Sequence, residues 1–178
     1  MTLHLIRHFK VLNTIPIWIT ANEFNEWVDI YDQEPLKPLD VSLPEGVDLI
    51  LCSTFSRARR SIEMITTKEV VYLDSLVEVD PKVPWKSSFK LPKYLWFILG
   101  RVLWYRNRLE GENRVDSKER AREVLEYIKK SQRNNIFILT HGFFLKVLEK
   151  ELLAQGFKGK IELKPKNGKI YTFMENES

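Results

Sequence analysis

The chain of 178 residues contains a single cysteine, Cys52. That scarcity excludes a disulfide framework and any cysteine-based zinc site, and it fits a reducing compartment. No apolar run approaches the roughly 18 residues of a spanning helix, so stable membrane insertion is not expected. The opening, MTLHLIRHFK, meets Arg7, His8 and Lys10 before a signal-length apolar core accumulates, which predicts a cytoplasmic protein. Internal repeats and low-complexity segments are missing as well. Disorder is excluded by composition, with 44% apolar and 29% charged residues. A chain this long buries about 70% of its unfolded surface and needs no staple, so one domain over residues 1–178 is expected.

The net charge of +4 is not evenly spread. Between Lys82 and Leu109 stand Lys82, Lys86, Lys90, Lys93, Arg101, Arg106 and Arg108, with no acid among them. The remainder is slightly acidic, so a general polyanion binder is not implied and no nucleic-acid partner is expected.

Leu3–Ile6 reads as a short strand ending in Arg7-His8. Thr20 and Glu23 have the capping-box spacing and predict a helix over 21–31. Pro35, Pro38 and Pro44 then impose an extended loop. Val47–Cys52 reads as a buried strand followed by a helix over Arg57–Thr66, and Val70–Leu73 as a third strand. A strongly apolar helix is predicted over Lys93–Arg108. A second capping-box spacing, Asp116 to Glu119, opens an amphipathic helix to about Ser131. Ile136–Leu139 is a fourth strand and Phe143–Ala154 a helix ended by Gly156. Lys160–Phe173 reads as a hairpin turning at Asn167-Gly168.

Strands alternating with helices predict an α/β fold, a three-layer sandwich with a mostly parallel central sheet and helices on both faces. Ligands of such sheets sit beyond the carboxyl ends of the strands. Those ends carry Arg7-His8, Ser53…Arg57 and Thr140-His141-Gly142, with Glu78 after the third strand. Two guanidinium groups and two imidazoles around one point suit a dianionic oxyanion, since arginine matches phosphate oxygens in pairs. A neutral imidazole among them is a competent nucleophile toward phosphorus. The cations neutralise a transferring phosphoryl group without a metal, and a nearby carboxyl can protonate the leaving oxygen. Neither an acidic cluster nor a His-x-x-x-His spacing accompanies these residues, so no metal or other cofactor is expected.

The motifs Leu5-Ile6-Arg7-His8, Ser53-Thr54-Phe55-Ser56-Arg57-Ala58, Leu76-Val77-Glu78 and Leu139-Thr140-His141-Gly142, in that order, resemble those of the histidine phosphatase superfamily, the phosphoglycerate mutase-like fold. The resemblance implies that His8 is the nucleophile, that Arg7, Arg57 and His141 hold the phosphoryl group, and that Glu78 is the proton donor. Asp74 and Asp80 stand close enough in sequence to be the acid instead. Phe9 stands where the family has glycine, and Val11 where threonine is usual. Phenylalanine lacks glycine's backbone freedom, so either the loop takes another path or the ring walls the pocket.

Four residues invite blander readings. His4 projects from the face opposite Leu3 and Leu5 and is read as structural. Arg59 and Arg60 are read as surface pairs, and Cys52 as a buried inert thiol. The aromatic and basic segment at about 82–116 is read as a lid-like insertion over the pocket, ahead of a homodimer seam and of attachment to an anionic membrane surface.

The resulting expectation is a phosphoric monoester hydrolase acting on a small phosphorylated substrate, independent of metal, through phospho-His8. Two other readings stand beside it: a phosphohistidine protein phosphatase of the short type, and a phosphate-ligand binding protein with little turnover.

Overall fold

A computed structural model describes residues 1–108 and 112–175. Of the lid-like insertion read from the sequence, residues 109–111 therefore lie outside the described residues. In chain order the strands are β1 (Thr2–Arg7), β2 (Lys10–Val11), β3 (Trp18–Ile19), β4 (Leu36–Lys37), β5 (Leu49–Ser53), β6 (Val71–Leu73), β7 (Leu91–Pro92), β8 (Asn135–Thr140), β9 (Phe157–Lys158) and β10 (Ile170–Glu175). The α-helices are α1 (Ala21–Ile30), α2 (Ser56–Glu63), α3 (Lys93–Tyr105), α4 (Arg114–Ser131) and α5 (Gly142–Ala154).

The central sheet has the order β6-β5-β8-β1-β10-β9. Strands β6, β5, β8 and β1 are parallel, with Arg7 beside Thr140 and Cys52 beside Leu139. Strands β10 and β9 close the other edge antiparallel. Successive side chains of the buried strands serve opposite faces. Leu3, Leu5, Leu51, Ile136 and Ile138 pack with Val124, Leu125, Leu145 and Leu148 of α4 and α5. Ile6, Ile50, Cys52, Phe137 and Leu139 pack with Ala58 and Ile62 of α2. Burial on both faces is why these strands read as continuous apolar runs. The three-layer α/β arrangement is the one expected. Cys52 lies in this core, where burial pushes its thiol up to about 12. His4 pairs through Nδ1 with the Thr172 hydroxyl across the β1–β10 ladder, a structural role.

The first capping box forms as read: the Thr20 side chain accepts from the Glu23 N–H and the Glu23 carboxylate accepts from the Thr20 N–H. The second is displaced. Asn113, not Asp116, caps α4, accepting from the Val115 and Asp116 N–H groups while Asp116 answers to the Asn113 N–H. An aspartate closing the box behind an asparagine cap escapes a search for a glutamate at the third position.

The hairpin expected over Lys160–Phe173 is also corrected. β10 pairs with β1 and with the short β9, and residues 159–169 form no ladder between them. Gly168 does take positive φ (+71°), as its turn requires. Its N–H, however, donates to the Arg7 carbonyl, and the Asn167 side chain donates to the His8 carbonyl at 2.7 Å. The Asn-Gly donors thus brace the end of β1 instead of closing a hairpin.

Helix α3 lies off the sheet against α1. Trp96 is fully buried with Ile19, Ala21, Phe24 and Val83, and its indole N–H donates to the Ile19 carbonyl. Gly100 is required by contact, since a Cβ there would come within 2.1 Å of the Pro81 carbonyl oxygen. Opposite this buried face, Tyr94, Ile98, Val102 and Tyr105 are exposed. Among the described residues no helix is long and apolar enough to cross a membrane.

Candidate active site

Parallel register brings the ends of β1, β5 and β8 to one rim, and a cavity of about 370 Å³ opens above it. Arg7, His8, Arg57 and Glu78 line it, together with Trp27 and Phe97. That volume suits a small organic ligand.

The imidazole of His8 is fixed at both nitrogens. Nδ1 lies 2.7 Å from the Phe9 carbonyl oxygen, and the Arg57 Nε–H reaches Nε2 at 3.3 Å. A carbonyl can only accept and a guanidinium can only donate, so Nδ1 carries the proton and Nε2 keeps its lone pair. Burial, then the charges of Arg57 and Arg7, hold the pKa of His8 well below 6.5. The ring is therefore neutral at pH 7, with Nε2 unprotonated.

Arg57 stands in the first turn of α2, and Asp32 fixes it there. One Asp32 oxygen pairs with Arg57 Nη1 at 2.8 Å, and the carboxylate also accepts from the backbone N–H groups of Ser56 and Arg57. The Tyr31 and Phe55 rings flank the guanidinium at 5.4 and 5.0 Å. Arg7 donates to the Pro165 carbonyl, while its buried Nε has no partner. Its guanidinium lies against Gly142, where a Cβ would meet Nε at 2.9 Å. Any larger residue there would displace Arg7.

His141 does not line the cavity. It is fully buried beside His8, ring centroids 5.1 Å apart, with Nε2 at 2.8 Å from the Ser53 hydroxyl and Nδ1 without a partner. Burial, then Arg57, His8 and Arg7, keep its pKa well below 6.5.

The Glu78 carboxylate sits on the N-terminus of α5, accepting from Phe144 N–H at 3.0 Å and Phe143 N–H at 3.2 Å. Of the two other acids weighed, Asp80 lines the cavity whereas Asp74 is bonded to Thr54.

Of the alternatives left open at Phe9, the ring does not wall the cavity: it is buried with Val11 and Leu36, and its backbone is not left-handed. Its N–H donates to the Ser61 hydroxyl at 2.9 Å, which ties the loop after β1 to α2. In α3 the residues facing the cavity are Phe97 and Arg101.

Sequence reasoning missed Asp32, Ser53 and Arg101. Asp32 carries no local signal because its partner is 25 residues away. Ser53 stood inside a recognised motif, and its place at the carboxyl end of β5 was the available clue. Among the described residues, no three His, Cys, Asp or Glu side chains are grouped as a metal ion would need.

The family model described as the histidine phosphatase superfamily (branch 1) matches residues 41–177. Arg7-His8 precedes the matched span, so its assignment to the site rests on the geometry above. None of the curated proteins matches the chain. Among solved structures it is similar to phosphoserine phosphatase from Entamoeba histolytica in complex with 3-phosphoglyceric acid, with TM-score 0.58, 18% identity, and coverage of 97% of this chain and 90% of that one. It is similar to mycobacterial glucosyl-3-phosphoglycerate phosphatase, with TM-score 0.55, 15% identity, and coverage of 86% and 79%. It is also similar to the alpha-ribazole phosphatase from Shigella flexneri, with TM-score 0.52, 17% identity, and coverage of 96% of each chain. At these identities the likeness is one of fold.

Proposed function

The chain belongs to the histidine phosphatase superfamily; on that premise we propose that it is a phosphoric monoester hydrolase acting on a small phosphomonoester through a phosphohistidine on His8. The observation that carries this reading is the fixed tautomer of His8, whose Nε2 lone pair accepts from Arg57 beside a cavity that Arg7 also lines.

Nε2 attacks phosphorus as the ester P–O bond breaks, and Nδ1–H remains on the Phe9 carbonyl, which supports the positive charge that develops on the ring. Arg57 leaves Nε2 for the phosphoryl oxygens, where Arg7 joins it. His141, at the back of the same rim, adds a donor once Ser53 yields. Cations aimed at the equatorial oxygens supply the charge neutralisation that phosphoryl transfer requires. Glu78, entering the step as the carboxylic acid, gives that proton to the departing alkoxide. The same carboxylate then takes a proton from water, which attacks phospho-His8, releases phosphate and restores the Nε2 lone pair. Arginine charge makes the reaction independent of a metal ion.

A small substrate is favoured by the cavity, whose volume of about 370 Å³ suits a small ligand and whose lining includes the Trp27 and Phe97 rings. The structural neighbours take small phosphorylated compounds by name, phosphoserine phosphatase among them. Turnover is favoured over the binding-protein reading by the Phe9 backbone carbonyl, which holds Nδ1 and leaves Nε2 its lone pair. Hydrolysis of p-nitrophenyl phosphate by wild type beside His8→Ala tests the proposal. Turnover by the first and none by the second is expected; equal rates would overturn it.

A further inference from the structure

Glu78 lies on a segment with almost no regular structure of its own, between the 3-10 turn Asp74–Leu76 and the irregular stretch before β7. The backbone carbonyls of such a segment need partners from elsewhere. Arg120 of α4 supplies two of them, donating through Nη1 to the Ser75 carbonyl at 2.9 Å and the Val77 carbonyl at 3.0 Å. Thr140 takes Leu76, and Arg101 of α3 takes Val79 at 3.0 Å. The same two arginines also lie over the aromatic rings behind the carboxylate. Arg120 Cζ stands 4.4 Å from the Phe144 ring centroid and Arg101 Cζ 3.8 Å from that of Phe143. Those are the residues whose N–H groups hold the two oxygens of Glu78. Arg120 is itself held, since Glu112 takes its Nε at 2.9 Å and accepts from the Ser117 hydroxyl, which receives the Trp104 indole N–H.

We infer that Arg120 is a positioning residue that aims the Glu78 carboxyl at the leaving oxygen by clamping both the backbone that carries Glu78 and the helix end that holds it. The inference rests on Glu78 being the proton donor. Arg120 does not line the cavity, so it acts through Glu78 and not on substrate. Arg101 does line it and is left out of the test.

The readout is the ratio of kcat/KM for an alkyl phosphate to that for p-nitrophenyl phosphate. The alkoxide needs the proton and nitrophenolate hardly does, so the ratio reports proton donation and is independent of the fraction of enzyme folded. Glu78→Gln should lower the ratio by about 10²–10⁴-fold, the range of general acid catalysis. Arg120→Met should lower it by about 10²-fold, the effect of roughly 1 Å of misplacement. Arg120→Lys, which keeps the charge but lacks the Nε and Nη2 groups by which Glu112 holds the guanidinium, should fall between wild type and Arg120→Met. An unchanged ratio in both Arg120 variants, with the ratio collapsed in Glu78→Gln, overturns the inference and spares the assignment of Glu78. An unchanged ratio in Glu78→Gln overturns both.

Discussion

Arg57 reaches the Nε2 of His8 across 3.3 Å while Asp32 holds the other end of its guanidinium at 2.8 Å. The bond to His8 is the weaker of the two, because a neutral imidazole competes poorly with a carboxylate for a cation. An arriving phosphate dianion can therefore draw Arg57 off His8 while Asp32 remains its pivot, exposing the lone pair as the substrate binds.

Removing the pivot should be costly. Asp32→Ala leaves the buried Arg57 without its carboxylate and two N–H groups of α2 without their cap. A hydrogen bond to a charged group is worth about 1.5–3 kcal/mol, so kcat/KM should fall by roughly 10–150-fold, with inhibition by inorganic phosphate weakened alike. Kinetics with and without phosphate check this, and unchanged inhibition would remove Asp32 from the account.

Stability should depend on pH through the two buried histidines. Both have folded pKa values well below 6.5, lowered first by burial and then by the arginines. Above pH 6.5 neither state is protonated at these sites. As pH falls from there toward the folded values, the unfolded chain binds more protons than the folded one, and stability is lost. The melting temperature should drop between pH 7 and pH 5, and less so in His141→Gln, which removes one titrating group. Equal pH dependence in the two proteins would contradict the assignment.

Trp96 and Phe97 are neighbours in sequence with different consequences. Trp96 is fully buried against α1, so Trp96→Ala should cost about 3–5 kcal/mol of stability, read by denaturant unfolding. Phe97 faces the cavity, so Phe97→Ala should alter kcat/KM for bulky phosphate esters by about 1–3 kcal/mol. Inhibition by inorganic phosphate should stay as it was, since Arg7 and Arg57 are untouched. A uniform loss across esters of different bulk would deny Phe97 a part in substrate choice.

Chelation should have no effect. Arg7 and Arg57 already place positive charge on the phosphoryl site, so hydrolysis should continue in EDTA. Activity that disappears and returns with added Mg²⁺ would contradict the mechanism.

Legibility in the sequence followed the range of the interactions. β1, β5 and β8 were visible because burial on both faces leaves an unbroken apolar run, and α1 because its capping box is local. Arg7 and His8 follow from the end of β1, which parallel pairing must align with its neighbours, and Arg57 and Glu78 from motifs just beyond β5 and β6; His141 is expected at the rim for the same reason, although it sits beside His8 and off the cavity lining. What could not be read is long-range. Asp32 meets Arg57 from a turn, Arg120 meets Ser75 and Val77 from another layer, and the Asn167-Gly168 donors serve β1 across the sheet. Helix α3 was legible as a helix but not in its orientation, because it is apolar around most of its surface, and the contact at Gly100 and the Trp96 bond to Ile19 select the buried face.

The claim that His8 is the nucleophile is tested most directly by trapping the phosphoenzyme with labelled substrate and examining its stability. Wild type should retain label that is released by acid and survives base, as a phosphoramidate does, and His8→Ala should retain none. Label persisting in His8→Ala, or label on wild type that survives acid, would contradict the account.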